Sequence, residues 1–203
     1  MQAQPAARPL RRDAQEHRDA LLGAVGVLLA ERGPGFSLTE VAQRAGVSNA
    51  TAYRHFGDAA DAITGYSDQT TRALLAAFDA LRPAADPLTG IRDLCQEWVR
   101  QAASWGPAAV YLRSPRGFLA RLADRDPFIT GLHERLECLV RVAIRAGVLP
   151  RQDVRYAVLI WVTIFDERVV VDLIGDLGLS PRQAARRMTV TLLAALRARE
   201  GQA

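Results

Sequence analysis

Phe36 to Phe56 read FSLTEVAQRAGVSNATAYRHF. Ser37 can cap a helix, and Glu40 three positions later completes a capping box. Val41 and Ala42 face inward, and Ala42 is small enough to admit a second helix. Gly46 follows Ala45 where a helix would end in a left-handed residue, a conformation glycine adopts without steric cost. Val47 is an apolar plug between the helices. Ser48 caps the next helix, with Asn49, Ala50 and Thr51 in its first turn. Tyr53, Arg54 and His55 point outward, and Phe56 closes the helix against the core.

Two short helices joined by a tight turn, the second ending in an aromatic and basic cluster, form the layout of a helix-turn-helix. That motif lays its second helix in the DNA major groove. The stretch AGVSNATAYRHF, Ala45 to Phe56, resembles the recognition segment of the TetR family of bacterial transcriptional regulators. Its place near the N-terminus, after one amphipathic helix, is similar too. The motif covers about a quarter of the chain. The remainder resembles the family in general plan, a divergent helical ligand-binding and dimerisation domain. Two departures stand out. Ala52 occupies a position usually held by a branched apolar residue. The start of the next helix, Gly57-Asp58-Ala59-Ala60-Asp61, is acidic where the family usually carries a phosphate-binding lysine.

The resemblance implies that Thr39, Ser48, Tyr53 and His55 hold phosphates. It implies that Asn49, Ala50, Thr51 and Arg54 approach base edges. Asparagine pairs well with adenine, arginine with guanine, and small apolar groups meet the thymine methyl. For Tyr53 the competing reading is a packed helix aromatic, but Phe56 already fills the core position. The implied partner is a double-stranded, palindromic operator bound by a homodimeric repressor that a small molecule releases.

Composition frames these readings. The chain has 203 residues, 49% of them hydrophobic, which is enough for a real core and excludes global disorder. Its net charge is +4, compatible with a polyanionic partner without demanding one. Every basic residue is arginine, as GC-rich coding would produce, so phosphate or base contacts fall to planar guanidinium groups. Residues 1–56 carry seven arginines against five acids, a net of +2. Cys95 and Cys138 lack CxxC spacing and lie within apolar helical patterns, so buried reduced thiols in a cytoplasmic protein are expected. The three histidines, His17, His55 and His133, are scattered and form no zinc constellation. Arg8, Arg11 and Arg12 precede charged residues, so no signal peptide is expected. The apolar run Tyr156 to Phe165 is too short to span a bilayer. No nucleophile–base set, metal cluster or phosphate-cradling glycine loop points to an enzyme, and no cofactor is expected.

Periodicity predicts an all-α chain. Residues 1–10 read as an arm. Residues 12–32 carry a helical stripe of Leu21, Leu22, Val25, Leu28 and Leu29, broken by Gly33-Pro34-Gly35. After the two motif helices, a long helix from about Asp58 to Leu81 joins head to body. Its inner side carries Ile63, Tyr66, Leu74, Phe78 and Leu81. Asp86-Pro87 and Asp126-Pro127 open helices that end near Trp105 and Ala146. Shorter pieces carry Tyr111, Leu112, Phe118 and Leu122. Helices over 151–175 and 181–199 finish the chain, the last opened by a Ser180–Gln183 capping box. The expected domains are a head, 1–56, and a helical ligand-binding and dimerisation bundle, 57–203.

Both final helices read as apolar on every face, so each needs cover on two sides. Dimerisation through residues of about 154–199 would supply it; the alternative is two core helices of a monomer. The body's aromatics, Trp98, Trp105, Tyr111, Phe118, Phe128, Trp161 and Phe165, are candidate ligand-pocket residues, although aromatics at helical spacing also build cores. Asp166, Glu167 and Arg168 interrupt an apolar helix, which calls for an internal ion pair, an intersubunit bridge or a ligand-orienting group. His133 with Glu134 and Glu137 reads as a solvated helix face or a polar pocket wall. The other function class that stays open is a helical ligand-sensing or partner-binding protein whose head has weak or lost DNA affinity.

Overall fold

A computed structural model of the chain describes residues 7–112 and 114–198. Its helices are α1 (Ala7–Arg32), α2 (Leu38–Ala45), α3 (Asn49–His55), α4 (Ala59–Asp79), α5 (Pro87–Trp105), α6 (Phe118–Ala123), α7 (Pro127–Arg145), α8 (Val154–Ile164), α9 (Glu167–Gly175) and α10 (Pro181–Arg197). A short 3-10 helix, Gly106–Tyr111, follows α5. No strand occurs among the described residues. The helices form two compact units, Met1–Thr70 and Thr71–Ala203, and α4 runs unbroken through the division.

The first unit is built on α1. Leu21, Leu22, Val25, Leu28 and Leu29 are all buried, as their 3.6-residue spacing requires. Helix α2 packs on α1, and α3 packs on α2. Helix α1 begins at Ala7, so residues 7–10 belong to it rather than to an arm; residues 1–6 lie outside the described residues. Its exposed early turns are braced by i,i+4 contacts from Arg12 to Glu16 and from Gln15 to Asp19. The compact unit runs to Thr70, taking in the first half of α4. Ala62 is fully buried. Gly26 leaves room for the Tyr66 ring, which a Cβ there would meet at 2.8 Å.

The second unit is centred on α5. Ile91, Leu94, Cys95, Trp98, Val99 and Ala102 form its buried face, against which α7, α9 and α10 pack. Trp98 sits between two rings, 5.7 Å from Phe78 and 5.5 Å from Phe165. The helix starts follow their local chemistry. Asp86 and Asp126 accept from the amides of Thr89 and Ile129, with proline opening each helix. Ser180 and Gln183 form the expected reciprocal box. Gly147 ends α7 in the left-handed region, φ 72°.

Three expectations are corrected here. The helix expected over 151–175 is two helices, α8 and α9, broken at Phe165 and Asp166. Asp166 leaves the helical path to cap α9, accepting from the Arg168 amide, and its carboxylate pairs with the Arg168 guanidinium at 2.6 Å. The ion pair and the break occur together: the carboxylate that caps α9 also takes the Arg168 guanidinium. Helix α10 is amphipathic rather than apolar all round. Ala184, Ala185, Met188, Thr189, Leu192, Leu193 and Leu196 are buried, while Arg186, Arg187, Val190 and Ala194 are exposed. Cys138 is exposed on α7, whereas Cys95 is buried and its thiol is pushed up to about 12 by loss of solvent.

The pattern on α10 separates core from surface. Leu193 is 8% exposed and Val190 61%. Leu193→Asp should cost about 3–5 kcal/mol through an uncompensated buried charge, and urea unfolding should show the body destabilised. Val190→Asp, at an exposed position, should keep the parent's near-UV circular dichroism, because it buries no charge in the core.

Candidate nucleic-acid interface

The turn between α2 and α3 is held by side chains that the backbone needs. Ser37 Oγ accepts from the Glu40 amide at 3.3 Å, and Glu40 Oε2 accepts from the Ser37 amide at 2.7 Å. The Ser37 amide, the Arg32 guanidinium and the Ser37 hydroxyl, in that order, pull the Glu40 carboxyl down to about 2. Gly46 takes the left-handed conformation at φ 69°. Two residues on, Ser48 caps α3, accepting from the Thr51 amide at 3.1 Å.

Helix α3 presents its candidate residues unevenly. Asn49, Ala50 and Arg54 are exposed, Tyr53 is 56% exposed, and Thr39 is exposed on α2. Ala52 is fully buried and Phe56 nearly so, which turns the opposite face outward. Ser48 and Thr51 share a hydroxyl–hydroxyl hydrogen bond of 2.9 Å, so each meets a ligand with its partner attached. His55 is half-buried rather than fully outward, and its Nε2 is enclosed without a hydrogen-bond partner. Burial, then the charges of Arg54, Arg18 and His17, hold His55 below the usual imidazole range.

In the second unit a cavity gathers Trp98, Trp105, Phe118 and Phe128 from the sequence candidates. Tyr111 is exposed outside it, and Trp161 and Phe165 are fully buried in the core. Sequence reasoning missed the polar lining: Thr71 from α4, Ser114, Arg116 and Arg121, with only Glu167 among the charges it had flagged. Nothing local marks those residues, because the fold alone brings them together. Arg116 pairs with Asp124, and Arg121 with Asp126 at 2.8 Å. The free space is about 70 Å³. His133 packs beside Phe118 and lies 3.4 Å from Glu137, behind the lining rather than in it.

The family model of bacterial regulatory proteins, tetR family, matches residues 22–61, the span that holds the capping box, the turn and α3. Over that span the chain is similar to the N-terminal segment of TetR-family regulators. Three solved structures have the fold of the whole chain. The fatty acid degradation regulator FadR from Bacillus halodurans is 18% identical, with TM-score 0.74, covering 90% of this chain and 97% of its own. PfmR, a TetR family transcriptional regulator from Thermus thermophilus, is 24% identical, with TM-score 0.68, covering 86% and 97%. FadR from Bacillus subtilis, solved in complex with stearoyl-CoA, is 17% identical, with TM-score 0.69, covering 87% and 97%. No match is found among curated proteins. The TetR family consists of DNA-binding transcriptional regulators rather than enzymes. Among the described residues no helix is long and apolar enough to cross a membrane.

His55 makes the stability of the first unit sensitive to pH. Its pKa is lowered on folding, so the unfolded chain takes up the proton first as pH falls below about 6.5. The stability tied to neutral His55 is complete above that value and is lost as pH falls through the lowered folded value. Thermal melts from pH 7.5 to 5 should show this decline, and His55→Gln should flatten it.

Proposed function

We propose that the chain is a homodimeric repressor that binds a palindromic operator through α3 and releases it when a small molecule enters the cavity of the second unit. The observation that carries this reading is the course of α4. At Gly65 it lies so close to Phe56, the cap of α3, that a Cβ would meet the ring at 2.9 Å. Further along the same unbroken helix, Thr71 lines the cavity. A change at the cavity wall therefore acts on an element that also touches the end of the recognition helix.

Thr39, Ser48, Tyr53 and His55 are assigned to phosphates, and Asn49, Ala50, Thr51 and Arg54 to base edges. The expected domain roles follow, with DNA binding in the head and ligand binding and dimerisation in the bundle. Dimerisation uses the outer faces of α8 and α10. Tyr156 is 59% exposed there, and Val190 is more exposed still, an arrangement that favours a second copy as cover. The ligand is largely apolar, matching the tryptophan and phenylalanine walls. The stearoyl-CoA bound by the Bacillus subtilis regulator supports an apolar effector in this fold. The free space of about 70 Å³ is well below the several hundred of a typical ligand site, so a ligand enters by moving side chains.

A weak or lost DNA affinity is the second reading. The acidic start of α4 favours it, since Asp58 and Asp61 stand beside the end of α3 and bind amides of their own segment.

The unmodified chain should sediment at about twice 22.1 kDa. Val190→Asp should sediment as a monomer and fail to shift the chain's own upstream DNA, and a dimeric Val190→Asp would remove α10 from the interface.

The release mechanism requires the spacing of two recognition helices, set for half-sites about 34 Å apart, to change. Cross-linking the two heads at their DNA-bound spacing should abolish release by ligand while ligand binding stays detectable by calorimetry. Release from the cross-linked dimer would replace the spacing change with disordering of the head itself.

A further inference from the structure

Three of the five arginines of α1 to α3 whose side chains are described are held in ion pairs. Arg12 pairs with Glu16, Arg32 with Glu40 and Arg44 with Glu31. Among the arginines of α1 to α3 whose side chains are described, Arg18 and Arg54 alone have no carboxylate partner. Arg54 projects from the recognition helix. Arg18 stands on α1, half-buried, with its Cζ 4.7 Å above the ring centroid of Phe56.

That stacking is a built seat. Phe56 is almost fully buried and caps α3. On α4, Gly65 leaves the opposite wall bare: a Cβ there would meet Phe56 Cε1 at 2.9 Å and Arg18 Nη2 at 3.4 Å. A guanidinium on an aromatic face is held in plane while its N–H groups stay available at the edge. The start of α4 offers no cation to that region. The Gly57 amide donates to Asp61, and the Asp61 amide donates to Asp58.

We propose that Arg18 is a DNA-phosphate contact, presented beside the end of the recognition helix by the Phe56 ring and the bare backbone of Gly65. The proposal rests on the reading that α3 enters the major groove. A duplex backbone that follows α3 past His55 meets carboxylates at the start of α4 and, among the described side chains there, the uncommitted guanidinium of Arg18. A phosphate there would accept from donors that no protein group uses and would offset a half-buried positive charge.

Phosphate contacts are independent of sequence, so the test needs no operator. The probe is a mixed-sequence 30-bp duplex, with binding to the full-length chain read by fluorescence anisotropy across a salt series. Arg18→Met keeps the side-chain stem on Phe56 and removes the charge. It should flatten the plot of log affinity against log salt by about 0.9 for each bound head. Arg12→Gln, which removes an ion-paired arginine from the same helix, should leave the slope unchanged, and Arg18→Lys should keep most of it. An Arg18→Met slope equal to the parent's, or an equal loss with Arg12→Gln, overturns the assignment. If Arg18→Met lowers the melting temperature, Arg18→Lys decides: a slope near the parent's supports the contact, and one flattened by a full contact overturns it. Titration of His55 by NMR in the free protein gives a readout that does not depend on DNA. Its pKa should rise in Arg18→Met, and an unchanged value would place the guanidinium away from the end of α3. Failure of the unmodified chain to bind duplex at low salt would sink the DNA reading itself, and this contact with it.

Discussion

The ring of Phe56 is the fixed point of the first unit. It closes α3, takes the Arg18 guanidinium on one face, and meets α4 where Gly65 has no side chain to interpose. The capping residues of the turn set the angle between α2 and α3, but they act only within their own few residues. Phe56 is where three helices share one contact. A larger residue at position 65 would have to push the ring, and with it the last turn of α3, outward.

The same crowding explains the behaviour of His55. A side chain next to a buried cap cannot stand free in solvent, so one ring nitrogen is enclosed and the charges of α1 lie near it. Burial first, and then the neighbouring positive charges, oppose its imidazolium. The head's modest net charge is also less available than a count suggests, because Glu31 and Glu40 each hold an arginine. Those pairs are exposed and add little stability, but they lower the number of guanidinium groups free for DNA.

In the body, the decisive constraint is the carboxylate of Asp166. Asp166 is 8% exposed and stands where α8 ends and α9 begins. Breaking the helix lets Asp166 accept from the amide and guanidinium of Arg168, while Phe165 turns inward against Trp98. The break also brings Glu167, the first residue of α9, to the cavity beside Phe128 and Arg121. A single buried acid thus shapes both the core and the polar part of the candidate ligand site.

The amino-acid sequence by itself determined what is local. Ser37 with Glu40, Ser48, Gly46, Asp86-Pro87, Asp126-Pro127 and Ser180 with Gln183 each satisfy backbone groups within a few residues, so their meaning survives any tertiary arrangement. The helix-turn-helix and the all-α class were legible for that reason. Only the tertiary structure decided which apolar residue of α10 is core and which is surface, because Leu193 and Val190 differ in neighbours rather than in chemistry. The exposure of Cys138, the gathering of Thr71, Arg121 and Glu167 around Trp105 and Phe118, and the seating of Arg18 on Phe56 are of the same kind. Each depends on residues far apart in the chain whose contact carries no local pattern. The break at Asp166 lies between the two: an acid at a helix start is a readable cap, but the apolar run on both sides made a continuous helix the simpler reading until the burial of that acid was known.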